Sequence, residues 1–249
     1  LRSGQVRKAE ARFMPMLLSE AMQDSGAWGA VRVVPNDAQI TDLMVRGEIL
    51  HSDGEELQLA ITATDSRGYV WLDKKYTGIA SRYAYEPTTR NTSDPFQTVY
   101  NTIANDLLQH LEELQPQERS DVRVVSELAF ARSFSPDAFD GYLEKTRSDR
   151  YEVQRLPADN DPMLARVREI RERDHLYVDT LQAYYTNFDA QMAGPYQEWR
   201  KNSYESVVVL QQMQAESTRN LIIGGVAVLA GIAAATSGAG AGEDLAPLL

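Results

Sequence analysis

From Val6 to Met22 apolar residues recur at helical spacing, through Val6, Ala9, Phe13, Leu17 and Ala21. This predicts an amphipathic helix, with Pro15 kinking it or marking a late start and Ser25-Gly26 ending it. Ala30 to Val34 is short and β-branched, which predicts a strand closed by Pro35-Asn36-Asp37. The pattern then changes to period two. Leu43, Val45, Gly47 and Ile49 alternate with more polar neighbours, and Leu57, Leu59, Ile61 and Ala63 do the same. Tyr69 to Tyr76 is a third such run, and the turns between the runs are Ser52-Asp53-Gly54-Glu55 and Asp65-Ser66-Arg67-Gly68. Asp- and Gly-bearing turns between alternating segments predict an antiparallel meander with one apolar face. A cover for that face follows in the chain. Asp94-Pro95 is a helix-start signal, and Phe96, Val99, Tyr100, Ile103, Leu107, Leu111 and Leu114 form one stripe.

The next hundred residues read as helical. Asp121–Phe134 and Pro136–Lys145 are expected as two shorter helices, with Gly141 weakening the second. A turn-rich linker, Leu156 to Asp161, leads to a second capped start at Asp161-Pro162. From there Met163, Val167, Ile170, Tyr177, Leu181, Tyr184 and Phe188 follow 4-3 spacing, with Asp174 at the one polar position. A seam of that period packs against another helix, in this chain or in a second copy. Gly194-Pro195 is expected to break the run, giving a helical hairpin or a kinked stalk that continues through Tyr196, Trp199, Ser203, Val207 and Leu210. The aromatic group Tyr177, Tyr184, Tyr185, Phe188, Tyr196, Trp199 and Tyr204 fits either an interface or a bundle core.

No charged residue lies between Arg219 and Glu243. A helix over 220–242 is long enough to cross about 30 Å of hydrocarbon, which predicts a membrane-spanning segment. Ala227, Gly231, Ala235 and Ala239 lie four apart, as do Ala230, Ala234, Gly238 and Gly242. Adjacent small-xxx-small stripes let membrane helices approach closely, so these residues are the expected oligomerisation face. The fold class expected is therefore α+β: a small antiparallel meander covered by helices, then a helical stalk or hairpin and a C-terminal membrane helix. Three units follow, at 1–118, 119–219 and 220–242.

Charge and chemistry narrow the function. The net charge is −11, which repels phosphate backbones, and the basic residues of Arg166–Arg173 are interleaved with acids. Nucleic acid is not an expected partner. The chain has no cysteine, so disulfides and thiolate chemistry are excluded. His51, His110 and His175 have no second ligand at metal spacing, and no nucleophile elbow, phosphate loop or dinucleotide fingerprint occurs. Asp53 and Asp65 are read as turn residues, and Glu55-Glu56 and Glu112-Glu113 as solvated pairs. No catalytic residue, metal or cofactor is expected. The chain opens at Leu1 without Met, so a processed start is expected, and a lipoprotein would carry its acylated cysteine ahead of it.

The segments "WGAVRVVP", "DLMVRGEI", "ELQLAITATDSRGYVWLDKKY" and "DPFQTVYNTIANDLLQHL" follow the first helix in an order that resembles a small α/β module of bacterial envelope lipoproteins. It is the module of the curli secretion channel subunit and the TolB amino-terminal domain. The resemblance covers about the first 115 residues and includes the Asp65-x-x-Gly68-x-Val70-Trp71 hairpin. It implies a periplasmic assembly module, often packed side by side into rings, and carries no catalytic residue. The function expected is a non-enzymatic structural subunit of an oligomeric envelope assembly or channel, anchored at the periplasmic face of the outer membrane. Its expected partners are copies of itself, membrane lipid and other envelope proteins. A pore former with a hidden Gly/Ala helix and a membrane-tethered ligand-binding domain are the alternatives.

Overall fold

The computed structural model describes residues 2–34, 38–86 and 93–238, with side-chain surroundings between 6 and 219 except at 189 and 218. Its elements are α1 (Arg2–Asp24), β1 (Leu43–Ser52), β2 (Glu56–Asp65), β3 (Val70–Ile79), α2 (Gln97–Glu113), α3 (Pro116–Phe134), β4 (Leu143–Lys145), β5 (Tyr151–Val153) and α4 (Pro162–Gly238). A 3-10 turn at Arg82–Tyr85 precedes α2.

The meander forms as its alternation requires. β1, β2 and β3 pair antiparallel in that order, with Gly47 opposite Ile61 and Ile61 opposite Lys74. Every second residue of β2 (Leu57, Leu59, Ile61 and Ala63) is buried, against Phe13 and Leu17 of α1 and Val99, Ile103 and Leu107 of α2. This is an α+β head with helices on one face of a three-stranded sheet. α1 runs through Pro15 and ends where the amides of Ser25 and Gly26 bond back to the carbonyls of Met22 and Gln23.

Ala30–Val34 does not become a strand. Side chains of two helices take its backbone groups instead: the Val31 carbonyl accepts from Gln23 Nε2, and the Val33 amide donates to Gln182 Oε1. Its β-branched residues pack without a ladder, Val31 lying against the core.

The second half departs further from the sequence pattern. α3 begins at Pro116 rather than near Asp121, because a capping box starts it: the Gln115 amide donates to Glu118 at 2.9 Å. The helix expected over Pro136–Lys145 is absent. Gly141 sits at φ +71°, left-handed backbone that ends any helix, and Leu143–Lys145 pairs with Tyr151–Val153 as a hairpin. The hairpin and α3 make a second core of Val125, Leu128, Ala131, Phe139 and Leu143, completed by Leu164 and Val167.

α4 starts as predicted: Asp161 Oδ1 accepts from the amides of Met163 and Leu164 at 2.8 and 3.1 Å. It then continues as one helix of 77 residues, with Pro195 inside it. The break at Gly194-Pro195 and the helical hairpin are therefore corrected. Proline withholds one N–H from the ladder, but the turns beside it are fixed to the head by Tyr196 and Arg200, both buried.

Candidate functional site: the seat of the long helix

α4 presents two surfaces. Among the described residues its buried ones are Leu164, Val167, Val178, Tyr196 and Arg200. Leu164 and Arg200 are 36 positions apart, ten turns at about 3.6 residues per turn, so they share one side of the helix. The predicted seam follows a 3.5 period and drifts off this line. Of its members Val167 is buried, and Ile170, Leu181 and Phe188 are half-buried. Met163, Tyr177 and Tyr184 point outward, at 40%, 62% and 70% exposure. The aromatic group divides the same way: Tyr196 is core, Trp199 packs beside it, and Tyr177 and Tyr184 face solvent.

The densest part of the seat is polar. Arg200 is fully buried, and its Nη1 donates to both Asp94 oxygens at 2.7 and 2.8 Å. Its guanidinium lies 4.6 Å from the Phe96 ring centre and 4.4 Å from that of Tyr196. Burial works against this cation, but Asp94 and then Tyr196 and Tyr100 outweigh it and hold its pKa above the ordinary value. Beside it, fully buried Glu10 accepts from the hydroxyls of Ser52 (2.6 Å) and Tyr196 (2.8 Å) and pairs with Arg7. Burial raises the Tyr196 and Tyr100 pKa values, aided by Glu10 at the first and Asp94 at the second and opposed by Arg200 at both, so both hydroxyls stay protonated.

The β1–β2 turn presses into the same place. Its Asp53 carboxylate accepts from the amides of Glu55 and Glu56, both at 2.7 Å, the structural task its sequence predicts. Gly54 donates its amide to Ser203 and accepts at its carbonyl from Tyr85. A Cβ on Gly54 would lie 2.0 Å from the Arg200 carbonyl oxygen, so only glycine allows the turn this close to α4. Farther toward the helix start, Arg32 pairs with Asp179, and Arg171 reaches Ser126 and, at 3.8 Å, Asp42. His175 lies between these two arginines, and burial, then Arg32 and Arg171, hold its pKa below the ordinary 6.5. Among the described residues the farthest tether is Gln211 to Glu55.

Arg200 and Glu10 carried no signal at the sequence level, and Asp94 registered only as a helix cap. Asp94 is not the cap: α2 starts at Gln97 with Phe96 at its N-cap, and Asp94 accepts from the Phe96 amide at 2.9 Å in the turn ahead of it while its larger partner is Arg200. The clue available was an arginine four residues after Tyr196, inside an aromatic stretch.

On either side of the Gln211 tether α4 shows Val209, Leu210 and Met213 at 50–62% exposure. The backbone of 220–238 stays helical, while the surroundings of Ala227, Ala230, Gly231, Ala234, Ala235 and Gly238, and all of Ala239 and Gly242, lie outside the described residues. Among the described residues no helix is long and apolar enough to cross a membrane; of the segment predicted to do so, 220–242, the backbone is described as far as 238 and the side-chain surroundings are not. No cluster of potential metal ligands occurs among the described residues either. A cleft of about 650 Å³ separates the outer sheet face from the α3 end and the small hairpin; its Lys145 pairs with Asp149 at 2.6 Å.

No known protein family matches the chain, and no curated protein or solved structure is significantly similar to it.

Proposed function

We propose that this protein is a non-enzymatic structural subunit of an oligomeric bacterial envelope assembly. In this reading the α+β head stands at the periplasmic face of the outer membrane and α4 is its rod. The segment 220–242 beds into the bilayer beside copies of itself, through the Ala227-Gly231-Ala235-Ala239 and Ala230-Ala234-Gly238 stripes. The observation that carries the reading is continuity: one helix of 77 residues runs from the head into a stretch of 23 positions without charge. A short glycine- and alanine-rich helix is marginal in water on its own, and in this reading lipid with neighbouring small-residue helices supplies its cover. The same reading accounts for Val209, Leu210 and Met213 on the approach.

The test compares the full chain with one ending at Arg219. Extracted in mild detergent and weighed by mass photometry, the full chain should be a stable multiple of 27.9 kDa and the shortened one a monomer. A monodisperse full-length monomer would sink the proposal. A water-soluble monomer that empties dye-loaded vesicles would instead identify a pore former.

A further inference from the structure

The sheet of the head has two open edges. β1 and β3 each lie beside β2 and have no other strand partner among the described residues. The register opens the same three rows on both. Arg46, Gly47 and Glu48 of β1 are exposed, and so are Asp73, Lys74 and Lys75 of β3, across Thr62, Ile61 and Ala60 of β2. Gly47 has no side chain, so its exposure is that of the backbone itself. Lys74 turns toward α2 and pairs with Asp106 at 2.7 Å. The residues on either side of Gly47 and Lys74 point to the outer face of the sheet, and Glu48, Asp73 and Lys75 have no ion-pair partner among the described residues.

Charges on an edge strand ordinarily keep other strands away. Here their signs differ between the two edges row by row: Arg46 lies level with Asp73, and Glu48 with Lys75. We infer, on the anchored reading above, that β1 is a docking edge for β3 of a second copy, so that heads join side by side into one continuous sheet that closes as a ring. Rods that enter one bilayer hold neighbouring copies in the same direction. β1 and β3 both run antiparallel to β2, so copies standing in the same direction bring them together in parallel.

Register selects this partner. A ring closes only when neighbours share one height, and at equal height each junction sets Arg46 beside Asp73 and Glu48 beside Lys75. Arg46 is engaged within its own chain, but a guanidinium with five N–H donors serves more than one acceptor. Slipping the copy two residues one way sets Glu48 beside Asp73, and two residues the other way sets Arg46 beside Lys75. Both slips oppose like charges, which is destabilising. A slip of one residue sets the outer face of one strand level with the core face of the other. On the core face, equal height places Val45 beside Leu72 and Ile49 beside Tyr76, apolar against apolar. Tails held in one bilayer raise the local concentration of heads, so an edge that is weak alone serves in the full chain.

A chain without cysteine makes the test direct. In the full chain in mild detergent, Glu48→Cys together with Lys75→Cys puts one thiol on each edge. Within a copy β2 separates the two by two strand spacings, about 9.6 Å, too far for a disulfide. Mild oxidation should therefore give a ladder of covalent oligomers in steps of 27.9 kDa, up to the size of the intact assembly, and neither single substitution should give it. Charge reversal supplies an independent readout. Glu48→Lys alone and Lys75→Glu alone should each raise the concentration for half-assembly about tenfold, and the two together should restore it, because every junction is matched again. An assembly without the ladder, a ladder that stops at the dimer, or a double reversal no better than the single ones overturns the inference and leaves the anchoring by 220–242 standing. A monomeric full chain overturns both.

Discussion

Asp65 turns the chain between β2 and β3 and also holds four groups around one buried carboxylate. It accepts from the amides of Arg67 and Tyr69 and from the Trp71 indole, and it pairs with the Arg67 guanidinium at 2.7 Å. The Asp65-x-x-Gly68-x-Val70-Trp71 spacing is therefore a hydrogen-bonding unit, legible in the sequence because all its partners lie within six positions. Arg200–Asp94 and Tyr196–Glu10 were not legible, since they join residues 106 and 186 positions apart. Local periodicity carries no information at that range, and a buried arginine is a poor guess against base composition. Asp65→Asn keeps the shape but removes the charge facing Arg67, which is itself almost buried. It should lower stability by about 3–5 kcal/mol, read as an earlier urea midpoint in tryptophan fluorescence.

Among the elements, the meander and α2 were readable because period two and period 3.6 each bury one clean face. The error in α4 was one of period: a heptad reading of a straight helix drifts about 20° per heptad, enough over three heptads to turn Tyr184 from seam to solvent. Sequence breakers misled in both directions. Gly194-Pro195 did not end a helix whose flanks are anchored, whereas no helix forms around Gly141, which occupies left-handed backbone. The corrected stripe makes its own forecast. Val178→Ala opens a cavity at a position 3% exposed and should cost about 2 kcal/mol. Tyr184→Lys, on the outward face, should change stability by less than about 0.5 kcal/mol. Urea unfolding of the two variants side by side checks this, and the reverse ranking would restore the heptad seam.

At the scale of the whole molecule, the head supplies the compact core and α4 supplies reach. At 1.5 Å per residue the helix is about 115 Å long, and its tethers to the head, from Leu164 to Gln211, occupy about 70 Å of it. What remains of the helix runs on into the uncharged stretch. Its sequence places a convenient boundary there: after Arg219 the chain contains no lysine or arginine, so trypsin cannot cut within 220–249. If 220–242 beds into a bilayer, trypsin added to vesicle-bound protein should send the head into the supernatant and leave the whole fragment after Arg219 in the vesicle pellet, as mass spectrometry of the two fractions would show. The cut itself also reports on anchoring, because a head retained on the vesicles after cleavage would mean that it binds the surface through its own residues. A fragment found in the supernatant would mean that lipid does not cover the tail, and the cover would then have to come from another protein or from a second copy of α4.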